Sequence, residues 1–434
     1  MKYNIFRHKI FAVIMPILAT LMISCSDDDT ISISRICVQK VGDSQTELRH
    51  VRLGEKIRIE GKGLSTTKAV YCNGVEIKGM NANYVTDNSI ILTIPKTIPT
   101  GSEIENEDDR NTIRIVTAYD NFVFPFSIMS AAPNVTSVSH TMPRPGEWIE
   151  IYGSDLKDIE KVTFPGNIVS TNIQVNSDYT VLSVEVPADL GNECGALTVE
   201  GFNGGAYSHN YFNCKDGLFI VAFTDDPSEK KSYWYGRGTG SISANKTAKM
   251  PVGVSGPQSP DVYRSVPSEP KPIPTATEDH GGFNFYADKA IDIVLKAYAE
   301  SKIITEDTPV KNLAIQCDYY VSTPWSAGAL RLMLNGVRST PLPWLSNGTV
   351  VPVDFSNGWK TMTWPLSDMK EYADMTLGEL HTAMDGKSGV VYWTSGSFQD
   401  NSGNWFSGLA MESSQMSFGN FRIVPYVKST YKND

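Results

Sequence analysis

Side chains able to do chemistry are scattered along this sequence rather than assembled. Six histidines stand at His8, His50, His140, His209, His280 and His381, with no His-Glu-x-x-His spacing to gather a metal. No Gly-x-Ser-x-Gly elbow raises a nucleophilic serine, and no glycine-rich loop leads into a helix to cradle phosphate. The sequence therefore points to neither a metal nor a cofactor, although a structural calcium held by scattered oxygens leaves no such signature. Glycoside hydrolysis passes this test more easily, because its two carboxylates need not be close in sequence. Glu278, Asp279, Asp354, Asp400 and Glu412 are acids that such a pair would draw on, among 48 Asp and Glu in all.

The aromatic residues are better organised. Seven of the eight tryptophans lie beyond Asp216: Trp234, Trp325, Trp344, Trp359, Trp364, Trp393 and Trp405. Several stand among turn formers, where nothing demands burial. Trp325 lies between Thr323-Pro324 and Ser326-Ala327-Gly328, and Trp344 between Pro343 and Ser346-Asn347-Gly348. Trp405 sits in Asn401-Ser402-Gly403-Asn404-Trp405-Phe406-Ser407-Gly408, Trp393 ends a strand-like run, and Tyr233-Trp234-Tyr235-Gly236 forms another cluster. A sugar ring packs its axial C–H face on an aromatic plane while its hydroxyls seek amides and carboxylates at the edge. The candidate glycan-binding set is accordingly Trp234, Tyr235, Tyr286, Trp325, Trp344, Trp393 and Trp405 with Asn404. Asn284, Arg331 and Gln399 are further edge donors. Trp359 and Trp364 share an alternating run, so at least one of them, Trp359 first, is expected in the core.

The elements that must carry these residues are strands. Gly54-Glu55-Lys56-Ile57-Arg58-Ile59-Glu60-Gly61-Lys62-Gly63-Leu64 recurs as Gly146-Glu147-Trp148-Ile149-Glu150-Ile151-Tyr152-Gly153-Ser154-Asp155-Leu156, at an offset of 92. Two later segments keep step: Ala69-Val70-Tyr71-Cys72 answers Lys161-Val162-Thr163-Phe164, and Asn88 to Pro95 answers Asp178 to Pro187. Each alternates apolar and polar residues as half-buried strands do, and the glycines that follow the first strand suit a turn of positive φ. This pattern resembles the IPT/TIG family of immunoglobulin-like domains, which act as spacers or interaction modules. Beyond Asp216, strand-like runs cover Leu218–Phe223, Leu313–Val321, Leu330–Leu334, Trp359–Trp364, Gly389–Trp393 and Phe418–Val424. Leu377–Met384 reads as a short helix and Ala287–Ala299 is ambiguous, whereas the seven prolines of Met250–Pro274 read as loop. The expected fold is all-β: two tandem immunoglobulin-like (IPT/TIG) sandwiches and then a larger jelly-roll-type β-sandwich.

The N-terminus speaks to location. Lys2, Arg7 and Lys9 precede an apolar run, Ile10 to Ile23, which is too short to span a bilayer and reads as an export signal. Its end, Leu21-Met22-Ile23-Ser24-Cys25, resembles the lipobox of bacterial lipoproteins, which implies acylation of Cys25. Ser26-Asp27-Asp28-Asp29 then resembles the acidic surface-export signal of Bacteroidetes lipoproteins. Boundaries follow at 1–24 for the signal, 25–33 for the tether, 34–131 and 132–214 for the immunoglobulin-like domains, and 215–434 for the last sandwich. Without the signal the chain has 35 basic and 48 acidic side chains, a charge of −13, and no basic patch, which excludes nucleic acid as a partner. Five cysteines remain beyond Cys25, in no zinc spacing, and the pairings open to an exported chain include Cys194 with Cys214 and Cys37 with Cys72. Cys317 alternates within an apolar run and reads as a buried thiol.

This order of parts resembles the surface glycan-binding proteins of Bacteroidetes polysaccharide-utilisation systems. Their xyloglucan- or β-glucan-binding domain shares the stretch Gly358-Trp359-Lys360 to Trp364-Pro365-Leu366-Ser367-Asp368 and the terminal Phe418-Gly419-Asn420-Phe421-Arg422-Ile423. The resemblance implies a non-catalytic receptor, lipid-anchored in the outer membrane and facing outward. It would bind a neutral plant-type β-glucan, mixed-linkage glucan or xyloglucan, and serve an outer-membrane importer alongside a partner glycan-binding protein. An endo-glycanase of the same system and a protein-binding adhesin are the rival readings.

Overall fold

The computed structural model describes residues 30–43, 45–220, 233–234, 263–399 and 403–433. Cys25, Tyr235 and Asp400 lie outside the described residues, and so does the side chain of Trp234. The described chain is all-β, with two short α-helices at Ala287–Ala297 and Leu377–Ala383. No helix among the described residues is long and apolar enough to cross a membrane.

The duplicated motif folds the same way twice. In the first domain Ser32–Val38, Lys56–Lys62 and Ser89–Thr93 make one sheet, and Val75–Glu76, Thr67–Cys72, Thr112–Thr117 and Asn121–Pro125 make the other. In the second, Asn134–Val138, Trp148–Ser154, Val181–Glu185 and Ile173–Val175 make one sheet. Ile168–Ser170, Ile159–Phe164, Gly195–Gly201 and Gly204–Phe212 make its other sheet. Alternation along each strand sends one face inward: Ile57, Ile59, Leu64, Val70, Cys72 and Ile90 are buried, and so are Ile149, Ile151, Leu156, Val162, Phe164 and Leu182, each 92 residues later. Burial pushes the Cys72 thiol up to about 12, so it behaves as a small apolar side chain.

The repeat glycines serve two separate needs. Positive φ falls at Gly63 (+70°) and at Asp155 (+56°), which holds the same place in the second copy. Gly61 and Gly153 are not such turn residues. A Cβ at either would collide with the carbonyl oxygen of Ser32 or Asn134 on the neighbouring strand, so their role is close approach of backbones.

The C-terminal sandwich faces a five-stranded sheet against a four-stranded one. The first runs in the order Tyr233–Trp234, Glu278–Tyr286, Ser388–Ser395, Ala329–Leu334 and Val337–Ser339. The second runs Tyr263–Ile273, Met411–Pro425, Leu313–Val321 and Lys360–Pro365. Phe283, Phe285, Phe418, Phe421 and Trp364 fill the space between them, and Trp359 is also buried. Two expectations need correction. Tyr263–Ile273 is a strand despite Pro267, Pro270 and Pro272, because it lies at the sheet's edge and its pairing breaks between Val266 and Lys271. Leu218 makes only an isolated bridge to Arg422, so the described part of Leu218–Phe223 is not a ladder strand. The ambiguous Ala287–Ala299 segment is helical, burying Ala290, Ile291 and Val294 on one face.

The second immunoglobulin-like domain docks on the outer face of the four-stranded sheet through buried polar groups. Arg422 Nη2 reaches Asp318 Oδ1 at 2.8 Å, Thr141 Oγ1 at 2.9 Å and Thr361 Oγ1 at 3.2 Å. Its Nε donates to Gln316 Oε1 at 3.1 Å and Nη1 to the Asn420 carbonyl at 2.7 Å. Asn420 donates to the other Asp318 oxygen at 2.8 Å, and the Thr361 N–H donates to the Ser139 carbonyl at 2.7 Å. Cys194 and Cys214 form a disulfide beside this seam, whereas Cys37, Cys72 and Cys317 are free and buried. The chain end then returns across the same domain: Tyr431 stacks on Tyr207 with ring centres 5.2 Å apart and donates to Glu200 at 2.6 Å.

Asp318 is fully buried, which by itself raises a carboxyl, but Arg422 and His140 outweigh that and hold it well below the carboxylate range. Arg422→Met strands this charge and is expected to cost about 3–5 kcal/mol, with Arg422→Met/Asp318→Leu recovering most of it, read by urea unfolding. Because the folded carboxyl titrates lower than the unfolded one, its contribution is complete above about pH 4 and falls away as the pH drops below that. Unfolding titrations should show a steeper acid-side loss in the wild type than in the double variant.

Candidate functional site

With the second immunoglobulin-like domain on one face of the C-terminal sandwich, the outer face of the five-stranded sheet points the other way. Strand pairing arranges that face in rows. Asn284 lies beside Val390, Val390 beside Met333, and Met333 beside Arg338. In the next row Gly282 lies beside Tyr392 and Tyr392 beside Arg331. A Cβ at Gly282 would strike the Tyr392 backbone, so the glycine lets the strands close up there. The Arg331 guanidinium carbon stands 5.6 Å from the Tyr392 ring centre and 5.3 Å from that of Phe398, and its Nε donates to Thr340 Oγ1 at 3.4 Å. Tyr286, half-buried at the end of Glu278–Tyr286, carries Lys289 Nζ 4.1 Å above its ring.

A hairpin closes one end of this face. Phe398–Gln399 pairs with Trp405–Phe406, which sets Phe398 and Phe406 on one side and Gln399 and Trp405 on the other. Phe398 is buried against Arg331, and Trp405 is left 67% exposed, more than any other tryptophan described. The amide of Gln399 donates to the Gly403 carbonyl at 3.1 Å, tying the hairpin beside the exposed Asn404.

Three tryptophans of the sequence-derived set lie elsewhere. Trp325, Trp344 and Trp393 have no exposed surface and belong to the core. Trp325 Nε1 donates to the Ala327 carbonyl and Trp344 Nε1 to the Gly328 carbonyl, both at 2.6 Å, so each indole closes the sandwich end from within. The Trp393 ring packs 5.2 Å from that of His280. Turn-forming neighbours therefore mark where the chain bends, not which way a side chain points. Asn284 and Arg331 lie on the face and Tyr286 at its Ser388 end, whereas Gln399, Asn404 and Trp405 lie at the opposite end, beyond Ser395. Sequence reasoning missed Tyr392, Met333 and Phe398. Strand alternation carries the signal for Tyr392, which must oppose its core neighbour Trp393.

Two of the acids singled out in the sequence, Glu278 and Asp354, are held below the ordinary carboxylate range. Lys271 lies 3.0 Å from Glu278 and lowers its titration, and Ser356 does the same for Asp354. A general acid needs the opposite shift. Among the described residues no three His, Cys, Asp or Glu converge as a metal site.

Residues 276–425 match the family described as the surface glycan-binding protein B xyloglucan binding domain. That stretch lies within the C-terminal sandwich, which is similar to this family there. A curated IPT/TIG domain-containing protein of Bacteroides ovatus is 31% identical over 210 residues, covering 44% of this chain and 42% of that protein. The chain thus spans less than half the length of that relative. A solved surface glycan-binding protein from Prevotella bryantii is similar in fold, with a TM-score of 0.65 at 17% identity over 92% of this chain and 99% of that one.

Burial separates the tryptophans by experiment. Trp344→Ala is expected to lower unfolding free energy by about 3–5 kcal/mol, whereas Trp405→Ala should stay within about 0.5 kcal/mol, read by urea denaturation.

Proposed function

We propose that this chain is a non-catalytic, cell-surface receptor for a neutral β-glucan, xyloglucan or mixed-linkage glucan. The family match over 276–425 supports the class of ligand. The observation that supports the reading is the sheet face turned away from the second immunoglobulin-like domain, which carries Asn284, Arg331 and, at one end, Tyr286, with the exposed Trp405 on the hairpin beyond its other end. Ring faces stack on the C–H faces of sugars there, and the amides and guanidinium take the hydroxyls. Stacking of this kind is worth about 0.5–1.5 kcal/mol per platform, so a few contacts sum to binding in the micromolar to millimolar range. Depressed carboxyls at Glu278 and Asp354 favour holding the polymer over cutting it.

Acylation of Cys25 would fix the chain to the outer membrane, with Asp27–Asp29 directing it outward. The immunoglobulin-like domains then serve as the stalk, and an importer with a partner glycan-binding protein would receive the captured polymer. Display of many copies raises avidity without new contacts.

Affinity electrophoresis of the mature chain through gels of xyloglucan, mixed-linkage glucan, laminarin, mannan and xylan tests the reading. Retardation by a β-glucan, lost in Trp405→Ala and weakened in Tyr286→Ala while both variants stay folded, is the expected result. Unretarded migration in every gel would favour the adhesin, and release of reducing ends would favour the glycanase. For the anchor, palmitate labelling in the native host should reach the wild type and not Cys25→Ser.

A further inference from the structure

A second recess lies outside the face described above. A groove of about 770 Å³ follows the seam between the second immunoglobulin-like domain and the edge strand Lys360–Pro365. One wall is apolar, built from Pro341, Pro343, Leu345, Val351 and Pro352. The opposing wall is polar. Lys360 Nζ stands 3.2 Å from Glu150 Oε2, both side chains largely shielded, and the Tyr152 hydroxyl donates to the same carboxylate. That bond holds the Tyr152 ring along the groove. Asp354 and Asn357, both exposed, reach it from the loop that precedes Trp359.

The lining selects a ligand chemistry. Prolines have no N–H, and the Thr361 N–H is already taken by the Ser139 carbonyl, so this stretch gives an extended peptide little backbone to pair with. The charged and amide side chains supply acceptors at Glu150 and Asp354, which already hold Lys360 and Ser356, donors at Lys360, and both at Asn357. A hydroxyl donates and accepts, so a polyhydroxylated ring can satisfy all four while a C–H face rests on Tyr152. Two carboxylates against one ammonium disfavour an anionic sugar. The volume lies within the range of about 300–1,000 Å³ found for small-molecule sites.

We infer that this groove is a second saccharide subsite, taking a short neutral oligosaccharide or a side branch of a bound polymer. The inference rests on the glycan-receptor reading but not on the platform residues. Isothermal titration of the mature chain with cellohexaose and with xyloglucan heptasaccharide tests it. The platform variant Tyr286→Ala/Trp405→Ala should keep weak binding, which falls about tenfold when Asp354→Ala and Asn357→Ala are added. Both loop side chains are exposed and lie apart from the buried docking network, and thermal midpoints check that each variant is folded. Equal binding with and without the groove substitutions, or none in the folded platform variant, overturns the inference while leaving the receptor reading intact. No binding of any saccharide by the wild-type chain overturns both.

Discussion

The Arg422–Asp318 pair sets how the rest of the molecule can be used. Two opposite charges buried together are expensive to desolvate, and they persist because Gln316 and Asn420 within the sandwich and Thr141 from the neighbouring domain supply hydrogen bonds around them. Thr141 completes the set from the second immunoglobulin-like domain, so neither domain satisfies this network alone. The two domains are therefore expected to move as one piece. The second immunoglobulin-like domain and the sandwich accordingly belong to one compact unit.

A consequence follows for the sandwich itself. One of its two outer faces is spent on docking, and the proposed platform lies on the other. The docking face uses short polar side chains and an arginine, while the opposite face keeps Tyr286, Met333 and Tyr392. On the opposite face Tyr392 is buried and Tyr286 and Met333 are half-buried, so little side-chain freedom is left there to lose.

The duplicated domains were legible because their signal is local. A period of two, a glycine where backbones touch, and a fixed offset of 92 each survive without knowledge of tertiary contacts. The same logic missed Tyr263–Ile273, since prolines are barred from central strands but not from an edge whose outer N–H groups need no partner. Trp325 and Trp344 show the limit of context. Their neighbours are turn formers, yet each indole turns inward to donate to a carbonyl two or sixteen residues away. Arg422 is the sharpest case. It sits in a strand between Phe421 and Ile423 at a position that alternation assigns to solvent, and only the arrival of another domain makes it a core residue.

This distinction bears on what a weak-binding platform requires. If each stacked ring contributes only about 0.5–1.5 kcal/mol, a platform that had to order itself on binding would lose most of that gain to side-chain entropy. Packing removes the cost in advance. Tyr392 is pinned beneath Arg331, Arg331 is held by Thr340 and Phe398, and Phe398 anchors the hairpin that presents Trp405. The indole can then be exposed without being loose, because its strand partner and the ring on the other side of the hairpin fix its backbone. The buried tryptophans belong to the same account. In the proposed receptor they stay out of contact with the ligand, and by closing the sandwich end from within, through indole bonds to the Ala327 and Gly328 carbonyls, they fix the loops there, on whose position a site of weak contacts would depend.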